Sequence, residues 1–208
     1  MEWMAFEVLT IMASNFDEYI LSSHTLFFYI IAFIFNMAIG IGVTYSSFLG
    51  NFIGNRDLEN SEDILSLLNP IIIIMAVMYE VFSLLLFEKV VGLMTNNQII
   101  FDILMNMLPV LCFLTYFDFF QGFNANVLRA LGKQDYATAM YFKTYYLIGL
   151  PLAFYFGVIC KFTLVGWFSS IHFAQFLFCI FSYRQIKKTK LKEIFNDVNS
   201  ALQGQFAH

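Results

Sequence analysis

Six stretches of this chain are long and apolar enough to cross a lipid bilayer, and they constrain its fold more than any other feature. A spanning helix needs about 20 mostly apolar residues. The six candidate stretches are residues 2–20, 24–48, 64–87, 98–122, 137–159 and 162–183. The chain is 60% hydrophobic and 12% charged, whereas soluble domains are about 25% charged. The sequence therefore predicts an all-α membrane protein with six transmembrane helices.

The positions of Lys and Arg predict the orientation and the domain limits. Eight of these bases fall at one end of the predicted spans, and only Lys89 and Lys161 fall at the other. Because cytosolic loops carry the excess of Lys and Arg, we expect both termini in the cytosol. The transmembrane lobe is expected to cover residues 1–184, and a basic cytosolic tail residues 185–208. The plasma membrane and a vacuolar or other endomembrane fit equally well.

Several function classes are disfavoured by composition. A net charge of −4 gives no reason to expect nucleic-acid binding. The three cysteines lie in apolar stretches without metal-ligand spacing, so no metal site is expected. No Ser-His-Asp, HExxH or His-rich pattern occurs, so we do not expect an enzyme, nor a bound cofactor. If the spans form a transporter, a proton gradient is the expected driving force for transport, and a sodium gradient is the alternative.

Five carboxylates lie in or beside the apolar stretches, namely Glu2, Glu7, Asp17, Glu80 and Asp118. An ionised group inside hydrocarbon costs roughly 2.5–3.5 kcal/mol on insertion scales. Such a group must be buried against protein or water, and it is read by default as a proton or cation site. A proton and a cation compete for one buried carboxylate, so the binding of one expels the other. The pattern therefore favours transport.

Glu7 has the neighbours that a cation site requires. Trp3 lies one turn before it, and Thr10 and Ser14 follow at helical spacing, which predicts one shared face. Ion pairing and cation–π attraction, the latter worth about 0.5–2 kcal/mol, would then act together on a flat organic cation. Glu2 lies roughly 140° round the helix from Glu7, so it either borders the same cavity or sits at the membrane interface.

Asp118 is the second strong candidate, because Thr115 and Gln121 share its helical face. Glu80 lies near the predicted outer end of its span, and its role is divided between cavity and interface. His24 and His172 are isolated on apolar faces, where structural hydrogen bonds are the default expectation.

Proline and small residues predict local geometry. Pro109 and Pro151 fall in mid-span and predict bent helices, because proline removes an i to i−4 hydrogen bond. Gly149, Ala153 and Gly157 recur every four residues, which predicts close approach of a neighbouring helix.

Gly50 and Gly54 have the same four-residue spacing but fall in a hydrophilic break. A turn role is expected for both.

Five short motifs, in order along the chain, resemble those of the eukaryotic multidrug and toxin extrusion (MATE) transporters. Residues 2–7 (EWMAFE) resemble the EWWAFE start of that family's seventh helix, and residues 145–151 (YYLIGLP) resemble its YYxxGLP. The remaining similarities are GNFIGNRD at 50–57, FD at 117–118 followed by VLRALGKQ at 127–134, and GW at 166–167.

The resemblance implies one six-helix lobe of a two-lobe, twelve-helix antiporter that exports organic cations and other xenobiotics. Glu2 and Glu7 would match the two cavity acids on the family's seventh helix, and Asp118 the glutamate on its tenth. The family's glutamate on the eighth helix falls at Tyr29, which cannot carry a negative charge near neutral pH. The implied site is therefore Glu7, Asp118, Glu2, Trp3 and Tyr29.

The implied partners are the lipid bilayer, small organic cations, protons and a second six-helix lobe or subunit. A lone lobe would leave the cavity acids without a facing wall, so efficient transport by this chain alone is not expected. Two alternatives stay open: a non-transporting half-transporter subunit or vestigial fragment, and a lipid-linked oligosaccharide flippase. Flippases tend to line their cavities with bases, whereas the mid-span charges here are mostly acidic.

Overall fold

The structure is a computed structural model that describes residues 2–192 and 194–195, with the side chain of Glu2 left out, and this part of the chain is helical without strands. The helices are α1 (Glu2–Ala13), α2 (Glu18–Gly54), α3 (Leu58–Ser66), α4 (Leu68–Met94), α5 (Gln98–Asn106), α6 (Leu108–Ala130), α7 (Gln134–Tyr141), α8 (Leu150–Ala153) and α9 (Thr163–Lys188). Two π-helical segments, π1 (Phe142–Gly149) and π2 (Phe154–Ile159), flank α8. The predicted all-α fold is confirmed.

Among the described residues, four rods are long and apolar enough to cross a bilayer: Glu18–Gly54, Leu58–Met94, Gln134–Ile159 and Thr163–Lys188. The pair α5 and α6 gives a fifth span if it crosses as one bent rod. The first predicted span is shorter than expected, because α1 ends at Ala13. Twelve helical residues rise about 18 Å, against a hydrocarbon core of about 30 Å.

The predicted bend at Pro109 is confirmed. The axes of α5 and α6 meet at 51°, and the break is at Met107, just before Pro109 in the first turn of α6. Proline is tolerated there because its missing N–H would have no helical partner in a first turn. Pro151 is the second residue of α8, the short α-helical segment between the two π-helical ones.

Two of the expectations for the first half of the chain need correction. Asp17 caps α2, where its carboxylate accepts a 2.9 Å hydrogen bond from the Ile20 N–H, so its place beside an apolar run has a structural cause. Gly50 lies inside α2, Gly54 is its last residue before the turn, and an added Cβ at either would meet nothing within 4 Å. The left-handed residue that ends this helix is Arg56, with φ of 61°.

Asp57 caps α3 in the turn between two spans, and this cap predicts an effect of pH. Its carboxylate accepts hydrogen bonds from the Asn60 N–H and side-chain amide, which hold the pKa of Asp57 below its usual value. A lowered folded-state pKa means that the cap stabilises α3 at neutral pH and is lost as pH falls below about 4. The protection of the amide hydrogens of 58–66 against exchange, compared with that in the core of α4, should therefore fall as the pH is lowered from 6 to 3.

Asp57→Ala should give low protection of α3 at both pH values, whereas Glu59→Gln in the same helix should leave the dependence of the protection on pH intact. Equal protection of α3 at pH 6 and pH 3 in the unmodified chain would contradict the role of the cap.

The predicted approach of a helix to the small-residue stripe is confirmed, and the helix is α9. A Cβ added at Gly149 would lie 3.0 Å from the Ala174 Cβ, and one at Gly157 would lie 2.0 Å from the Trp167 indole. Gly166 of α9 is equally tight, since its added Cβ would lie 2.8 Å from the Gly157 nitrogen. Glycine is required at this crossing because the two backbones leave no room for a side chain.

Candidate functional site

Buried polar residues line the side of α6 that faces α9 and π1. On α6, Thr115, Asp118, Gln121 and Asn124 recur every three residues, and each is at most 1% exposed. Successive residues at this spacing are about 60° apart round the helix, so each neighbours the next while the row winds across α6. The polar band of this lobe is defined by these four residues together with Tyr145 of π1 and Gln175 and Ser182 of α9, all of them fully buried.

Side-chain hydrogen bonds join the helices through this band. The Gln175 amide donates to Asp118 Oδ1, and the Tyr145 hydroxyl donates to Gln121 Oε1 at 2.5 Å. Further along α6, the Asn124 amide donates to Ser182 Oγ at 3.0 Å. None of these three bonds involves a Lys, Arg or His. Buried polar groups that are bonded in this way specify the helix packing, because an unmade bond in dry surroundings is costly.

Asp118 also lines a crevice on the opposite side, between α1, α2 and α6. The crevice is narrow, with a volume of about 10 Å³, and its lining is otherwise apolar: Trp3, Phe6, Phe28, Ile31, Ala32 and Phe35. That volume has room for roughly one water molecule. The Trp3 ring packs edge-on against Phe28 and Phe35, with centroid distances of 5.7 and 5.9 Å. Aromatic faces attract organic cations, and the carboxylate supplies a negative charge or accepts a proton. The arrangement can therefore hold a proton as it stands, whereas an organic cation would require the crevice to open.

The structure brings together Trp3 and Asp118, but it does not bring Glu7 or Tyr29 to the same crevice. Glu7 lies on the exposed side of α1, because the buried side consists of Ala5, Phe6, Leu9 and Ala13. Thr10 was expected to share the face of Glu7; instead it is turned toward α2, where its hydroxyl lies 3.0 Å from His24 Nε2.

Tyr29 is 60% exposed and lines a separate apolar groove between α2 and α4. It is separated from Asp118 because Phe28, one position earlier on the helix, is the residue that turns toward Trp3. Glu2 opens α1, but its side chain lies outside the described part of the structure. The assignment of these residues as the substrate site stays a prediction.

The sequence analysis missed Gln175 and Tyr145. Gln175 had a signal, because it is the one amide in the apolar run 173–181. Tyr145 had none, since tyrosine is common in apolar spans and its buried hydroxyl is evident only from the packing. The structural role expected for the histidines is confirmed, since His24 contacts Thr10 and His172 Nδ1 contacts the Phe168 carbonyl.

Comparison with known proteins places this geometry in one family. The MatE family model matches residues 1–155. A probable multidrug resistance protein NorM of Photorhabdus laumondii is 24% identical over 155 residues, which is 74% of this chain and 34% of the relative. Human multidrug and toxin extrusion protein 1 is 23% identical over 152 residues, 73% of this chain and 27% of the relative.

Solved structures agree on the fold. The eukaryotic MATE transporter AtDTX14 superposes with a TM-score of 0.85 at 18% identity, covering 96% of this chain and 45% of the transporter. A MATE structure in the bent conformation gives 0.82 at 19% identity, with 94% and 46% coverage. The chain spans about a third of the length of its curated relatives and under half of these transporters. With the family model matched over residues 1–155, the chain belongs to the multidrug and toxin extrusion (MATE) family.

Proposed function

We propose that this chain forms one lobe of a MATE antiporter that exports organic cations or other xenobiotics in exchange for protons. The observation that carries the proposal is Asp118, a buried acid that is held by an amide and opens onto an aromatic crevice with Trp3. Since the family consists of transporters, the chain is not an enzyme.

The chemistry that supports exchange is competition for Asp118. In its ionised form the carboxylate attracts a cation, and Trp3 adds the face of its ring. In its protonated form the same group has no charge to offer, so the cation leaves. The two ligands are thereby coupled by mutual exclusion, and this coupling is equal in both directions. Rocking of the lobe between two openings would convert exclusion into antiport. Efflux further requires the orientation predicted from the Lys and Arg positions, with both termini in the cytosol.

A facing lobe is part of the proposal. Glu7 lies exposed on α1, although a charge in contact with lipid is costly. Trp3, on the same helix, is 41% exposed at the edge of the Asp118 crevice. We infer that a second lobe covers this side of α1, so that Glu7 borders the cavity between the lobes. The second lobe would be another segment of the same polypeptide or a separate subunit.

Reconstitution tests the proposed exchange. The complete gene product that contains this chain would be placed in vesicles that are acidic inside, and the pH gradient would be followed with an acridine dye. Addition of ethidium or tetraethylammonium outside should collapse the gradient in a saturable way, because each cation that enters displaces a proton.

Vesicles with a sodium gradient and no pH gradient serve as the control for the coupling ion. Cation uptake that follows sodium alone would overturn proton coupling. Folded protein that moves neither cation nor proton would overturn the transport proposal and favour a non-transporting subunit.

A further inference from the structure

Gln175 of α9 has more hydrogen-bonding capacity than the structure uses. Its amide nitrogen donates to Asp118 Oδ1, while its amide oxygen, Oε1, is buried and has no hydrogen-bond partner among the described residues. The whole side chain is buried. A buried acceptor without a partner is costly, and one in a native structure requires an explanation. The carboxyl group that Gln175 contacts supplies one, because that group is proposed to change its protonation state.

A side-chain amide can bond a carboxyl group in either protonation state. An ionised carboxylate only accepts hydrogen bonds, so it requires the amide N–H, and this is the arrangement in the structure. A protonated carboxyl group has an O–H to donate, so it requires an acceptor. Half a turn of the amide about its last side-chain bond exchanges nitrogen and oxygen with almost no change of shape. Gln175 can therefore bond both forms of Asp118 from the same place.

The turn of the amide would cost Gln175 no other bond of its oxygen, which distinguishes it from the glutamine of α6. Gln121 Oε1 accepts from the Tyr145 hydroxyl at 2.5 Å, and a turn of that amide would break the bond. Gln175 Oε1 has no such partner to lose. Of the two buried glutamines in the polar band, Gln175 is therefore the one that can turn at low cost.

The backbone of α9 is not free to make the adjustment instead. Ala174, the residue before Gln175, packs so closely on π1 that a Cβ added at Gly149 would lie 3.0 Å from the Ala174 Cβ. Two turns beyond Gln175, Ser182 Oγ accepts a 3.0 Å hydrogen bond from the Asn124 amide, which ties α9 to α6. With the helix held on both sides, the response to a proton on Asp118 falls to the Gln175 side chain.

We propose that Gln175 is a positioning residue that follows the protonation state of Asp118. Its N–H holds the ionised carboxylate. When Oδ1 takes up a proton from water, the amide turns and its oxygen accepts the new O–H; the proton returns to water on release, and Gln175 itself neither gains nor loses one. The helices α6 and α9 thus stay joined at this point in both states. The role rests on the proposed protonation of Asp118.

Infrared difference spectroscopy tests this role in the complete gene product, reconstituted in lipid vesicles with carbon-13 in the side-chain carbonyl of glutamine. Acidification should produce the C=O band of a protonated acid, which Asp118→Asn removes. A shift of a labelled glutamine band should titrate together with the acid band, and Gln175→Met should remove that shift. In Gln175→Met the acid band should also move to higher frequency, because the O–H has lost its acceptor.

The pH at which half of Asp118 is protonated is a readout that a merely structural role would not move. The amide bond to the ionised form is the stronger of the two, because a hydrogen bond to a charged group is about twice as strong as a neutral one. Its loss in Gln175→Met should raise this pH midpoint by about one unit, a tenfold change in proton affinity. Ser182→Ala is the matched control, since it breaks the Asn124 bond between the same helices and should leave the pH midpoint in place.

The outcomes separate this role from the proton site on which it rests. Glutamine bands that stay unchanged while Asp118 takes up its proton would overturn the role of Gln175 and leave the proton site standing, and this reading needs no variant at position 175. A pH midpoint that is the same in folded Gln175→Met and in the unmodified chain would overturn the role as well. Absence of an Asp118 acid band at every pH would overturn the proton site, and the role of Gln175 with it.

Discussion

Gly157→Ala is expected to destabilise the lobe by about 3 kcal/mol or more, above the usual 1–3 kcal/mol of an overpacked core. The new methyl group would lie 2.0 Å from Cδ1 and Nε1 of Trp167. The indole cannot move aside easily, because it is fully buried and its ring packs edge-on against Phe16 and His24, with centroid distances of 5.3 and 5.9 Å. Separation of π2 from α9 would be the remaining way to relieve the clash.

Gly40→Ala is the matched control, since a Cβ there would meet nothing within 4 Å. Gly40 lies inside α2, where alanine should be neutral or stabilising by up to about 1 kcal/mol. Thermal or detergent unfolding midpoints of both variants in the same micelle would make the comparison. Equal midpoints would show that the crossing of π2 and α9 is looser than described.

A double variant tests the cause of the effect. Trp167→Leu removes most of the indole, so Gly157→Ala should cost much less in that background than in the unmodified chain. Contacting residues are expected to be non-additive by 0.5–3 kcal/mol. Strict additivity of the two changes would show that the methyl group acts on something other than Trp167.

The fold was predictable from sequence because membrane spans leave a strong signal in composition. Long apolar runs predict the long helices. An Asp or Asn before a helix indicates where the helix starts, as at Asn97, which caps α5. The limit of α1 was missed, since apolar residues continue past Ala13 and hydropathy does not register a cap at Asp17. The repeat of Gly149, Ala153 and Gly157 predicted a close helix crossing but did not identify α9 as the partner. The spacing of residues within one segment carries no information about which distant segment packs against it.

The site was predictable only in part, because the sequence does not fix how each helix is rotated about its own axis. Helical periodicity places Trp3 and Glu7 on neighbouring positions of α1, yet it does not say which side meets α2. In the structure Trp3 turns inward and Glu7 does not. For Asp118 the choice was easier, because Thr115 and Gln121 already marked a polar side on α6. A single polar residue in an apolar helix is thus a weaker guide than a repeated one.

Asp118→Asn should abolish proton-coupled exchange and leave the lobe folded. The amide has nearly the shape of the carboxylate, and its oxygen can still accept from Gln175. It can neither bind a transferable proton at neutral pH nor attract a cation by charge. Loss of one member of a buried charge pair costs about 2 kcal/mol or more, so cation affinity should fall by roughly thirtyfold. Exchange against the pH gradient should disappear, because no charge remains for the two ligands to share.

Asp118→Glu is the matched variant that keeps the charge. Its extra methylene must fit a narrow crevice of about 10 Å³, so slower but still proton-coupled exchange is expected. Unfolding midpoints of both variants should stay close to that of the unmodified lobe, which separates loss of coupling from loss of fold. Exchange at an unchanged rate in Asp118→Asn would place the competition between proton and cation elsewhere. Glu7 would then be the next acid to neutralise, since it lies one turn from Trp3 on α1 and is proposed to border the cavity between the lobes.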